Sequence, residues 1–158
     1  LNYGVCGDCC DDIIYRMRQY ALPEYVQHVL FLGGANDILQ GRRIEDISRD
    51  YKRVLDGARK QYSLCVVLPF ISTEQALNRQ LLNLRQEAEH ICGGKAFLLD
   101  LQPAIGLDAG SFKAYVDGIH PKSQTYEAMG NYAAPLIWQW LKDEKRLRKI
   151  LKVTSKNT

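Results

Sequence analysis

Apolar positions along the chain follow two rhythms. Short unbroken runs occur in "HVLFLGG" at 28–34, "LCVVLP" at 64–69 and "AFLLDL" at 96–101. A strand covered on both faces reads this way, because neither face has room for alternating polar side chains. "LNYGV" at 1–5 reads as the end of another strand. The intervening stretches carry apolar residues every three or four positions, the period of an amphipathic helix. Ile13, Ile14, Met17 and Ala21 mark one such helix, with Asp8 as its N-cap, Asp11 and Asp12 in its first turn, and Pro23 to end it. Ile44, Ile47, Tyr51, Val54, Leu55 and Ala58 mark a second, over 43 to 61. Leu77, Leu81, Leu84, Ala88 and Ile91 mark a third, with Thr73 as its expected cap. Met129, Tyr132, Ala133, Leu136, Ile137, Trp140 and Leu141 give the inward face of a last helix over 123–142.

Strands that each lead into a helix predict an α/β fold, a parallel sheet layered between helices as α/β/α. In such a sheet, ligands bind at the carboxyl ends of the strands. Three places follow: after 1–5, after 28–33, and in the long loop after 96–101. One domain over 1–142 is expected, followed by a basic C-terminal extension over 143–158. In that extension Leu147, Ile150 and Leu151 stand among lysines and arginines. It reads as a solvated continuation of the helix, or as a segment that touches an anionic membrane surface.

Composition narrows the classes. The chain has 158 residues, 46% apolar and 25% charged, enough for one domain with a real core. A net charge of +3 without any nucleic-acid-binding motif argues against a nucleic-acid partner. No apolar run approaches the ~20 residues needed to span a bilayer. The five cysteines, Cys6, Cys9, Cys10, Cys65 and Cys92, form no even disulfide framework. Cys6, Cys9 and Cys10 lack a fourth ligand at zinc spacing, so no metal is expected. Reduced thiols favour a cytoplasmic setting. The chain opens on Leu1, and a natural N-terminus upstream, with any signal peptide, is expected to lie out of view.

The three strand-end places read "VCGDC", "GGAND" and "DGIHP". In the last, Asp117 stands three residues before His120 with Gly118 between. A carboxylate at that distance can fold back onto one imidazole nitrogen, fix the tautomer and leave the other nitrogen as a base. An Asp-Gly turn before a proline is also an ordinary loop. In "GGAND" the Asn36 amide can donate to an oxyanion. Gly7 can offer a backbone N–H at a helix start, where the dipole favours negative charge.

Taken together, these segments resemble the SGNH, or GDSL-type, esterases and lipases. "GGAND" contains the Gly-x-Asn-Asp block as Gly34-x-Asn36-Asp37, and "DGIHP" the Asp-x-x-His block. "NYGVCGDCC" looks like the block whose glycine is Gly7. Gly7 and Asn36 lie 29 residues apart, Asn36 and Asp117 81, as in compact members of the family. The resemblance covers residues 1–142. It implies a flavodoxin-like three-layer fold with sheet order 2-1-3-4-5, and a serine ester hydrolase without metal or organic cofactor. In that reading His120 is the base, Asp117 its partner, and Gly7 and Asn36 oxyanion donors.

The family's Gly-Asp-Ser block, which ends the first strand and carries the nucleophile, is absent. "GDC" at Gly7-Asp8-Cys9 imitates it, but Cys9 lies only 27 residues before Asn36. That is too close to leave room for a helix and another strand. The first strand would lie between 1–5 and 28–33. Without it a buried sheet keeps unpaired backbone groups, each costing on the order of 1–3 kcal/mol. The expectation is therefore that the strand and its serine come from a longer chain or from a swapped segment. The substrate would be a small acyl, sugar or lipid ester, chosen by loops 37–45 and 102–116 with Arg42, Arg43, Phe112 and Tyr115. Two other readings stand beside it: a binding module that has lost its nucleophile, and a thiol enzyme using Cys9.

Overall fold

The computed structural model describes residues 1–20, 22–58, 61–106 and 113–154, with backbone alone for 146–154. Ala21, Ser111, Phe112 and Ser155, and the side chains of Leu147, Ile150 and Leu151, lie outside the described residues.

Three parallel strands make the sheet: β1 (His28–Phe31), β2 (Ser63–Val67) and β3 (Phe97–Leu99), in the order β1-β2-β3. Val29 pairs with Leu64 and Phe31 with Val66, and Cys65 pairs with Phe97. β2 shows why its sequence lacks alternation. Leu64, Val66 and Leu68 enter one core cluster, with α1 (Cys10–Gln19), α3 (Ile44–Ala58) and α4 (Gln75–Cys92). Cys65 and Val67 enter a second, with α5 (Gln102–Ile105) and α6 (Ser123–Thr154). The short helix α2 (Ala35–Leu39) leaves β1 and packs against α4. These layers are the α/β/α sandwich expected from the sequence.

Several expectations are corrected. Residues 1–5 form no strand and are exposed; among the described residues the sheet stops at β1, and no strand lies between them and its edge. β1 is consequently an edge strand rather than a fully buried one, and Leu30 and Leu32 are 51% and 50% exposed. α1 is capped by Cys9, not Asp8; the Asp12 carboxylate accepts the Cys9 N–H at 2.9 Å, while Asp8 pairs with Arg16. α4 is capped by Glu74, not Thr73, whose hydroxyl bonds across to Gly118. α6 lays only a narrow stripe on a three-stranded sheet. Met129 and Ala133 are buried and Ile137 and Trp140 pack beside them, but Tyr132 and Leu136 face outward. The helix also runs on past 142 to Thr154. No described helix is long and apolar enough to cross a membrane.

Candidate active site

In a parallel sheet all carboxyl ends lie on one edge. β1 delivers the chain there to Gly34 and Asn36, β2 to residues 68–74, and β3 to the loop that returns through Asp117 and His120. Ile38, two residues after Asn36, and Ile119, one before His120, pack into the same apolar cluster.

The first half of the site joins residues 7–8 to α2. Gly34 enters α2 with φ +103, and a Cβ there would lie 2.4 Å from the Leu84 Cδ2. The backbone angle calls for glycine, and a Cβ would also force the Leu84 side chain to shift. Asn36 Nδ2 donates to the Asp8 carbonyl at 2.9 Å, and Gln40 Nε2 to the Gly7 carbonyl at 3.4 Å. An asparagine amide has two N–H donors, so one remains for a ligand. Gly7 sits at φ +84 beside open space, where a Cβ would meet nothing within 4 Å.

Beneath this contact lies a buried charged group centred on Arg42. Asp37 is fully buried and accepts the Cys10 N–H, at 3.1 and 3.0 Å to its two oxygens, together with an Arg42 Nη1 bond. Arg42 also reaches Asp11 at 2.9 Å and the buried Asp50 at 2.7 Å; Arg53 adds a bond to Asp50 at 2.9 Å. Burial works against the guanidinium charge. The bond that Arg42 donates to Asp50 and the charges of Asp37 and Asp11 outweigh it, so the Arg42 pKa rises above its ordinary value. Asp11, Asp37 and Asp50 are close enough to gather a metal ion, as are Cys9, Asp11 and Asp12. In the first group a guanidinium bonds to all three carboxylates. Cys9 is 3% exposed, and burial, followed by the charge of Asp37, pushes its thiol up. A protonated, buried thiol is a poor nucleophile, which weighs against the reading of Cys9 as the attacking group.

The second half is local. Asp117 Oδ2 lies 2.7 Å from His120 Nδ1, and Oδ1 accepts the backbone N–H of His120 at 2.8 Å and of Ile119 at 3.1 Å. The His120 backbone N–H, then its ring, then the Ile119 N–H hold the Asp117 carboxyl well below the usual carboxylate range. With Nδ1 engaged, Nε2 is the nitrogen left to face a reactant. Gly118 makes the turn at φ +91. Thr73 holds it, the backbone N–H at 2.8 Å and the hydroxyl at 3.2 Å both donating to the Gly118 carbonyl. The buried Tyr115 anchors the loop by a bond to the Ile71 carbonyl and a bridge to Pro121. Burial pushes its phenol up to about 12.

Two residues of the expected substrate loops are therefore structural, Arg42 and Tyr115. Arg43 is exposed and bonded to Asp46. Among the described serines, Ser48 bonds to Glu87, Ser63 to Glu144, and Ser72 to Asn78; Ser123 opens α6, and no serine hydroxyl bonds to His120.

The family model described as the GDSL-like Lipase/Acylhydrolase family matches residues 1–128. Among solved structures, the chain is similar to a member of the lipolytic protein G-D-S-L family from Veillonella parvula. That likeness has 18% identity and a TM-score of 0.75, covering 85% of this chain and 77% of that one. Axe2, an acetylxylan esterase from Geobacillus stearothermophilus, matches at 13% identity and TM-score 0.73, over 83% of this chain and 68% of that one. The psychrotrophic esterase EstA from Pseudoalteromonas sp. matches at 18% and 0.69, over 90% and 78%. At such identities the likeness carries the fold. The comparison with curated proteins finds no match.

Proposed function

The chain belongs to the GDSL-like lipase/acylhydrolase family, and from that premise we propose that it supplies the base and oxyanion donors of a serine ester hydrolase. A serine on a strand outside these residues attacks the ester carbonyl. His120 Nε2 takes the serine proton and later returns it to the leaving alcohol. Asp117 holds Nδ1 and stabilises the imidazolium, while the Gly7 N–H and the second Asn36 amide proton meet the oxyanion. The substrate is a small carboxylic ester.

What supports this reading is that Asn36 bonds to the Asp8 carbonyl and His120 to Asp117, each in a segment that follows the carboxyl end of a strand. The free edge of β1 and the exposed Leu30 and Leu32 support a strand adding there, since a buried parallel sheet satisfies its backbone on both sides. The hydroxyls of Ser48, Ser63 and Ser72 are engaged elsewhere.

The test is p-nitrophenyl acetate turnover by these 158 residues, by a chain extended upstream through a Gly-Asp-Ser strand, and by that extended chain with His120→Ala. Activity that appears only on extension and collapses with His120→Ala is expected. Full activity in the short chain refutes the outside nucleophile. An inert extended chain moves the reading to a binding module for an ester-bearing sugar or lipid.

A further inference from the structure

The two oxyanion donors lie on separate segments, Gly7 ahead of α1 and Asn36 in α2. Their direct attachment is slight: one bond from Asn36 to the Asp8 carbonyl and a long one from Gln40 to Gly7. Residues 1–7 are exposed, so packing does little to fix where Gly7 points. The anchorage comes from below. Asp37, adjacent to Asn36, takes the N–H of Cys10, the first residue of α1, with both its oxygens. Arg42 then bonds Asp37 in α2, Asp50 in α3 and Asp11 in α1.

We propose that Arg42, acting through Asp37, is a positioning residue that fixes the Gly7 donor against the Asn36 donor. This rests on the oxyanion reading of Gly7 and Asn36. Three features support it. Asp37 and Asp50 are 0% and 1% exposed, a costly place for carboxylates that apolar side chains of similar size would fill without desolvation. Where such groups persist, a registry role is the best-attested reason. The guanidinium spreads its donors over a planar fork, with Nη1 serving Asp37 and Asp11 and Nη2 serving Asp50, where lysine would offer one compact point charge. The network also touches the two donor-bearing segments through residues next to the donors: Asp37 beside Asn36, and Cys10 three residues from Gly7. Arg43, its neighbour in sequence, is exposed and among the described residues its guanidinium bonds to Asp46, so two successive arginines have separate tasks.

The test is nuclear magnetic resonance on the 158-residue chain, its Arg42→Lys variant and its Arg43→Lys variant. The readouts are the Asn36 side-chain amide protons, their nuclear Overhauser contacts to Asp8, and the Gly7 amide, with the β2 amides of Cys65, Val66 and Val67 as internal reference. In Arg42→Lys, the Asn36–Asp8 contacts are expected to vanish and Gly7 to exchange about tenfold faster, while the β2 amides keep their positions. Arg43→Lys should match the parent. Unchanged Asn36 and Gly7 signals in Arg42→Lys would overturn the proposal. So would equal loss at the β2 amides, which would reduce Arg42 to a general stabiliser. The readout needs no hydrolysis, so an inactive chain leaves it decisive, and a negative result here leaves the esterase assay intact.

Discussion

The two halves of the site are held in opposite ways. Asp117 and His120 form a pair three residues apart, more than half exposed, closed by one glycine turn and two backbone N–H bonds. Gly7 and Asn36 are 29 residues apart and depend on a buried network spread over α1, α2 and α3. A local pair can be set by a turn. A relation between distant segments must be set by something that both segments touch, and here that is a carboxylate–guanidinium group under the loop. The Gly7–Asn36 side, proposed to hold the oxyanion, should therefore be sensitive to core electrostatics and the histidine side to local backbone geometry.

Arg42→Ala tests the first half most severely. It removes the guanidinium from two buried carboxylates, leaving Asp37 with the Cys10 N–H and Asp50 with Arg53, and breaking a buried ion pair typically costs about 3–5 kcal/mol. Chemical denaturation should show that loss, whereas Arg43→Ala should stay within about 0.5 kcal/mol of the parent. Equal effects from the two would erase the contrast between buried and exposed arginine. Next in size is Asn36→Ala in the ester-hydrolysing, extended chain. Loss of one oxyanion donor should lower kcat by about 10²–10³, or 2.7–4 kcal/mol, with little change in KM. A rise in KM alone would make Asn36 a ground-state contact.

Gly118→Ala probes the second half. A side chain at φ +91 costs roughly 1–2 kcal/mol, and the expected sign is a lower Tm together with weakened His120–Asp117 coupling by nuclear magnetic resonance. An unaltered Tm would mean that the turn is not what sets the pair. The smallest effect concerns pH. The depressed Asp117 pKa means that whatever stability the pair adds is present above the unfolded carboxyl value of about 3.9 and is lost as pH falls through the lower folded value. Carbon-13 titration should show Asp117 still ionised where a free aspartate is half protonated. His120→Ala should restore only part of the shift, because the backbone N–H groups remain. Titration at the ordinary value in the parent would remove the turn's electrostatic role.

The same contrast governs what could be read from the sequence. The Asp117–His120 pair was legible because its partners are neighbours in the chain. β2 was legible because both its faces are buried, β3 because its apolar run is unbroken, and α3 and α4 because their apolar stripes are long. The network was not: Arg42 meets partners five, eight and 31 residues away, and no local periodicity signals a guanidinium turned inward at a helix break. The strand at 1–5 failed for a related reason. An apolar run says that a segment suits a sheet, but a strand also needs a neighbour, and the sheet ends at β1. Likewise the Thr73 cap was plausible locally, and the carbonyl of Gly118, 45 residues away, competed for it.

The central claim is that this chain holds the base and the oxyanion donors while the nucleophile comes from another strand. Mass spectrometry after labelling the extended chain with a p-nitrophenyl phosphonate tests it directly, since the phosphonate traps the attacking group covalently. One adduct is expected, on the serine of the added Gly-Asp-Ser strand, forming orders of magnitude more slowly in His120→Ala. An adduct on Cys9, or on any serine within the 158 residues, would contradict it.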